Sequence, residues 1–148
     1  MKRTLVLTND ISQVPLLAEW VRELGMRLNL PVSAVFRLNL ALEEAVVNVM
    51  KYAYPDKKEC PITISAEVVS DEADSTERIV FVLTDEGVPF DPTQAKYPDI
   101  TLPAEARRIG GLGIFLVEQL MECVQYERAG QKNVLTMIYF INRDTVTL

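Results

Sequence analysis

The hydrophobic periodicity of this chain switches near Pro55, and that switch limits the folds open to it. Before it, apolar residues recur every three or four positions; after it, they alternate. In "ISQVPLLAEWVRELGMRLNL", Val14, Leu17, Val21, Leu24 and Leu28 share one helical face, with Pro15 tolerated in the first turn. "LPVSAVF" marks a break with Ser33 as the expected N-cap, and a second helix runs to about Tyr54 before "YPDKKECP" ends it. Beyond the switch, "ITISAEVV" sets Ile62, Ile64, Ala66 and Val68 on one face, opposite Thr63, Ser65 and Glu67.

The remaining segments complete the pattern. "RTLVLT" reads as a first strand, "SDEADSTE" as a solvated acidic hairpin loop, and "RIVFVLTDEG" as a strand apolar on both faces that stops at Asp85 and Gly87. A long irregular stretch from Val88 to about Ile109 carries Pro89, Pro92, Pro98 and Pro103; connections of that length within a compact domain are usually functional. "GLGIFLVEQLMECV" is a helix entered through glycines, and "VQYERAGQKNVLTMIYFI" closes as a hairpin turning near "GQKN". The order β-α-α-β-β-loop-α-β-β predicts an α+β two-layer sandwich, with three main helices on one face of a mostly antiparallel mixed sheet. A length of 148 residues suits a single domain spanning 1–148.

Composition excludes several roles. A net charge of −6 argues against a duplex nucleic-acid binder, whose affinity rests on clustered Lys and Arg, and against an anionic membrane surface. The apolar run after "MKR" is too short for a signal peptide, and no stretch approaches the roughly 20 apolar residues of a spanning helix. Cys60 and Cys123 have no metal-ligand spacing and read as reduced thiols of a cytoplasmic protein. Histidine is absent.

Three segments carry candidate chemistry. On the second helix, Glu44, Asn48 and Lys51 fall on one stripe, because spacings of four and three residues differ by only about 40° and 60° around the axis. Leu38, Leu42, Ala45, Val46 and Val49 form the neighbouring core stripe, and Glu43 points about 100° away from Glu44. Such a polar stripe can simply meet water. A carboxylate one turn from an amide also suits metal–phosphate chemistry: the amide oxygen ligates Mg²⁺, the carboxylate orients a nucleophile, and the ammonium neutralises phosphate. In "TDEGVPFDP", Asp85 can accept a hydrogen bond from an adenine amino group while Gly87 lets the ring approach the backbone; a plain turn is the alternative. In "RRIGGLGIFLVEQL", Gly110, Gly111 and Gly113 open a helix whose N-terminus can cradle a polyphosphate, with Arg107 and Arg108 upstream; a hinge is the alternative. The segment is not a P-loop, since "GxxxxGK" is absent.

Taken in order, E-x₃-N on a helix, D-x-G after a strand, a long loop and G-x-G opening a helix resemble the Bergerat-fold ATPases of gyrase, MutL and histidine kinases. "EEAVVNVMKYAY", "DEGVPFDP" and "GGLGIFLVEQLMECVQY" resemble more closely the boxes of the bacterial anti-sigma factor serine/threonine kinases. The resemblance implies a Bergerat ATP-binding fold with ATP and Mg²⁺ as cofactors. It implies Glu44 as the catalytic carboxylate, Asn48 as the Mg²⁺ ligand, Asp85 as the adenine contact and Gly87 as the shaper of its pocket. Gly111, Leu112 and Gly113 would form the loop that closes on the phosphates, with Lys51 and Arg108 as phosphate partners. Pro89 departs from relatives that carry a second glycine there, and the lid is short.

A histidine autokinase needs a phosphoacceptor imidazole, which this chain lacks; what remains is a kinase whose acceptor lies on another protein. The resemblance implies an anti-sigma antagonist bearing a Ser or Thr, with a sigma factor as competing partner. An ATP-binding sequestering module with little turnover is the alternative, and the retained Glu44 favours the kinase. "IVFVL" and "VLTMIYFI" are apolar on both faces, which three helices on one side would leave half uncovered; a homodimer is expected.

Overall fold

In the computed structural model, which describes residues 2–94 and 111–141, five strands and three helices appear in the expected order. β1 (Lys2–Thr8) leads through a short 3₁₀ turn to α1 (Val14–Leu28) and α2 (Val32–Tyr52), followed by β2 (Pro61–Asp71) and β3 (Thr76–Asp85). After a second 3₁₀ turn at Pro92–Gln94 come α3 (Gly111–Leu120), β4 (Cys123–Ala129) and β5 (Lys132–Ile141). The sheet order is β1-β2-β3-β5-β4, and every pairing is antiparallel, so the parallel component allowed for by a mixed sheet is absent among the described residues.

The alternation of β2 fixes its register. Ile62, Ile64 and Ala66 are buried opposite Asp85, Leu83 and Phe81 of β3, which turn to the helices with Ile79. On the second helix, Leu38, Leu42, Ala45, Val46 and Val49 are all buried, so the stripe read from the sequence is the one that packs. Leu17, Val21 and Leu24 of α1 and Ile114 and Val117 of α3 complete one apolar core between helices and sheet. On the other side of the sheet the residues of β3 and β5 alternate outward: Val80 pairs with Ile138, and Arg78 with Phe140, whose ring lies 5.4 Å below the guanidinium. None of these outward residues is fully buried.

Three boundaries differ from expectation. Ser33 is not the N-cap of α2: the Pro31 carbonyl already accepts the Ala34 and Val35 amides, which places Ser33 inside the first turn. The Pro31 backbone is locked near the φ that suits a helix entry, so it starts the ladder two residues early. α2 ends at Tyr52, with Ala53 as its C-cap, and α3 ends at Leu120 where β4 soon begins. The closing hairpin turns at Gly130, whose φ of 63° is the left-handed region that glycine enters without a steric penalty.

Candidate functional site

The site grows from the end of β3. Asp85 is its last residue and 4% exposed, in the middle strand of the sheet and on the face that meets the helices. The chain then leaves the sheet through Glu86, Gly87 and Val88, and two groups of contacts hold that exit. On one side is the C-terminal end of α2. The Glu86 amide donates to the Tyr54 hydroxyl at 2.7 Å, that hydroxyl donates to the Pro61 carbonyl at 2.8 Å, and the Val88 amide donates to the Ala53 carbonyl at 2.8 Å. The Tyr52 and Phe90 rings meet at 5.8 Å between centroids. Burial pushes the Tyr54 phenol above its ordinary value of 10.0, helped by the nearby Asp85, Cys60 and Glu86, and opposed by the hydrogen bond from the Glu86 amide.

On the other side is the β4–β5 hairpin. Arg128 Nη1 donates to the Gly87 carbonyl at 2.8 Å, and the Asn133 amide bonds both Asp85 and the Val88 carbonyl. Gly87 is fitted between these walls, since a Cβ there would lie 2.2 Å from the Ala53 carbonyl oxygen. Only glycine fits without moving backbone, and the neighbour that requires it is the Ala53 carbonyl rather than a bound ring.

Between these elements lies a small cavity, partly open to solvent. Asn48 and Val49 of α2, Leu83 and Asp85 of β3, Phe90, Ile114 of α3, and Tyr126, Asn133 and Leu135 of the hairpin line it. Its walls are apolar apart from a few polar groups, the pattern that binds a flat heterocycle by its faces and fixes it by its edge. A larger, open depression lies between Asn9, Gln13 and Lys58. Two of its polar groups tie the chain together: Gln13 accepts from the Thr8 amide, and Asn9 bonds the Lys57 carbonyl and the Cys60 amide.

The candidate residues distribute unevenly. Asn48, 6% exposed, and Asp85 face the same cavity although they come from different layers. Gly87 is not part of the lining and is tied to it through Asp85, whose Oδ1 accepts the Gly87 amide at 2.8 Å. Glu44 is half-buried one turn before Asn48 and lies outside the lining of the cavity; Lys51 is exposed to solvent. Gly111, Leu112 and Gly113 form the first turn of α3, and Ile114, the next residue, reaches the cavity wall. Arg107, Arg108 and Gly110 lie outside the described residues.

Asn133, Tyr126 and Arg128 were not singled out by the sequence. The available signal was Asn133 itself, a polar residue on the strand face that Leu135 and Met137 otherwise make apolar.

Among the described residues no group of three or more His, Cys, Asp or Glu is placed to hold a metal ion. At nucleotide sites Mg²⁺ commonly takes most of its ligands from phosphate oxygens and water, with one or two from the protein. The buried Asn48 amide at the cavity wall suits that arrangement as a single protein ligand.

Residues 7–139 match the family described as the histidine kinase-like ATPase domain. The chain is 30% identical over 128 residues to the serine-protein kinase RsbW of Listeria monocytogenes, covering 83% of this chain and 76% of that one. It is 34% identical over 114 residues to the serine-protein kinase RsbW of Staphylococcus epidermidis, covering 72% and 66% respectively. The RsbU and RsbW domains of a Mycobacterium tuberculosis protein share the fold, with a TM-score of 0.64 over 94% of this chain and 32% of that one at 14% identity.

Proposed function

We propose, from the premise that this chain belongs to the histidine kinase-like ATPase domain family, that it transfers the γ-phosphoryl group of ATP to a serine or threonine of a small anti-sigma antagonist protein and sequesters a sigma factor. Two relatives, 30% and 34% identical to it, are named serine-protein kinases, which supports reading this chain as an ATP-dependent serine/threonine kinase. That kinship favours the kinase over a sequestering module without turnover. The observation that carries the site assignment is the meeting of Asn48 and Asp85 in one apolar cavity.

In this reading the Asp85 carboxylate accepts the adenine amino group while Val49, Leu83 and Leu135 pack against the ring. The backbone amides of Gly111 and Gly113 at the start of α3 receive the phosphates, as helix N-termini do. Lys51 and Arg108 are further phosphate partners, and Leu112 belongs to the same loop. Mg²⁺, held by the Asn48 amide oxygen and the phosphates, supplies charge neutralisation. Glu44, one turn before Asn48 on α2, orients the acceptor hydroxyl in line with the γ-phosphorus and accepts its proton. Positioning and electrostatics do most of the work in such transfers.

Residues 1–148 form one such domain, acting in the cytoplasm as a homodimer. The outward residues Val80, Val82, Ile138 and Phe140 supply the apolar surface for the dimer, since none is fully buried in one copy. No helix among the described residues is long and apolar enough to cross a membrane.

The test incubates the protein with labelled ATP, Mg²⁺ and the antagonist encoded beside it. Phosphoserine or phosphothreonine should appear on the antagonist and be lost with Glu44→Ala, which should still bind ATP. Tight ATP binding without transfer to any such partner would instead establish the sequestering module.

A further inference from the structure

Asn133 stands directly opposite Asp85 in the pairing of β3 with β5, and it is 4% exposed. Its side-chain amide is fully engaged. Nδ2 donates to Asp85 Oδ1 and to the Val88 carbonyl, both at 2.8 Å. Oδ1 accepts from the Phe90 amide at 3.1 Å, the Tyr126 hydroxyl at 2.5 Å and Arg128 Nη1 at 3.2 Å. Reversing the amide would set its NH₂ against two N–H donors and its oxygen against two acceptors, so the surroundings allow one orientation.

The consequence falls on Asp85. Its Oδ1 already accepts from the Gly87 amide at 2.8 Å as well as from Asn133, whereas its Oδ2 receives no hydrogen bond from a described residue. The carboxylate therefore meets a ligand with one fixed, unoccupied acceptor. An adenine ring offers an amino donor at its 6-position to such an oxygen. A guanine ring offers a carbonyl oxygen there, which a carboxylate repels. Discrimination of this kind depends on the acceptor being unable to turn away, because a mobile carboxylate escapes the repulsion or meets it through water.

We propose that Asn133 is the positioning residue that sets the purine preference of this kinase: it holds Asp85 with Oδ2 as the carboxylate oxygen left to accept from the base. The same amide holds the wall of the pocket through Val88 and Phe90. Tyr126 and Arg128 act through Asn133, keeping its oxygen engaged and its nitrogen aimed at Asp85. This inference rests on the nucleotide-site reading above.

The experiment measures the affinities of wild type, Asn133→Ala and Tyr126→Phe for ATP and for GTP, with melting curves to establish folding. Wild type should prefer ATP by more than about tenfold, the scale of one hydrogen bond to a charged group. Asn133→Ala should bind ATP about tenfold more weakly and GTP little changed, so that the preference largely disappears. In antagonist phosphorylation, the loss should fall on KM for ATP rather than on kcat. Tyr126→Phe should move the ATP-to-GTP ratio in the same direction by a smaller factor, and it decides the matter if Asn133→Ala does not fold. A folded Asn133→Ala that keeps the wild-type ratio overturns the proposal while leaving the nucleotide site standing. Wild type that binds neither nucleotide overturns both.

Discussion

Gly87 rests against the carbonyl oxygen of Ala53: a Cβ built on it would lie 2.2 Å from that oxygen and 2.6 Å from the carbonyl carbon. The same oxygen accepts the Val88 amide, so the turn after β3 cannot draw back without breaking a hydrogen bond. The helix that carries Asn48 and the strand that carries Asp85 are joined at this contact.

Gly87→Ala should therefore act as overpacking against backbone, which costs about 1–3 kcal/mol when the neighbours cannot yield. The expected result is a lower melting temperature together with weaker ATP binding, because the displaced turn is tied to Asp85 in the cavity wall. An unchanged melting curve would show that the α2 terminus gives way freely.

Asn48→Ala tests the metal assignment apart from adenine recognition. Nucleotide binding in the presence of EDTA should stay within about twofold of wild type, well under the tenfold that corresponds to 1.4 kcal/mol. The Mg²⁺ concentration giving half-maximal phosphoryl transfer should rise at least about tenfold, the range over which loss of a metal-site group is usually felt. Mg²⁺ titration of the transfer rate measures it, and an unshifted midpoint would remove Asn48 from the metal site.

Tyr54→Phe should change how stability depends on pH. The folded protein holds this phenol above its ordinary value of 10.0, mainly through burial. Its contribution is therefore complete below about pH 10 and is lost as pH rises from there through the folded value. Denaturant unfolding should show the variant less stable near neutrality by about 1–3 kcal/mol, since the Glu86 amide and Pro61 carbonyl lose their partner. Above pH 10 the two stability curves should converge. Parallel curves in that range would mean the phenol does not titrate with unfolding.

Light scattering at micromolar concentration should give twice the chain mass. Ile138→Lys, on the outward face of β5 opposite Val80, should return the mass to that of one chain with little effect on ATP affinity. A dimer that survives this substitution would place the contact elsewhere.

How much of this was legible beforehand depends on the range of the interaction. The stripe Leu38, Leu42, Ala45, Val46 and Val49 and the alternation Ile62, Ile64, Ala66 are local patterns, and each meets the core as its spacing requires. Gly87 was singled out for the approach of a ring, whereas the contact that demands glycine is with Ala53 at the end of α2, which no local pattern contains. The bonds of Asn133 to Asp85 and Val88 span 48 and 45 residues, and they exist only because β5 takes one register against β3. Nothing in the sequence around residue 133 contains that register. The Ser33 cap failed because a serine two positions further back would have been needed, where Pro31 instead supplies the first carbonyl. Glu44 and Asn48 share a stripe as spacing demands, but a stripe does not say how deep each position sits; only Asn48 reaches the cavity.

Strand β3, which ends in Asp85, is flanked on both sides by paired neighbours. Central strands exchange their amides last, whereas edge elements such as β1 and β4 fray at far smaller free-energy cost. The corner proposed to bind the base is thus built on a central strand, so fraying at the sheet margins should leave it intact. Slow-exchanging amides should accordingly cluster around residues 79–85.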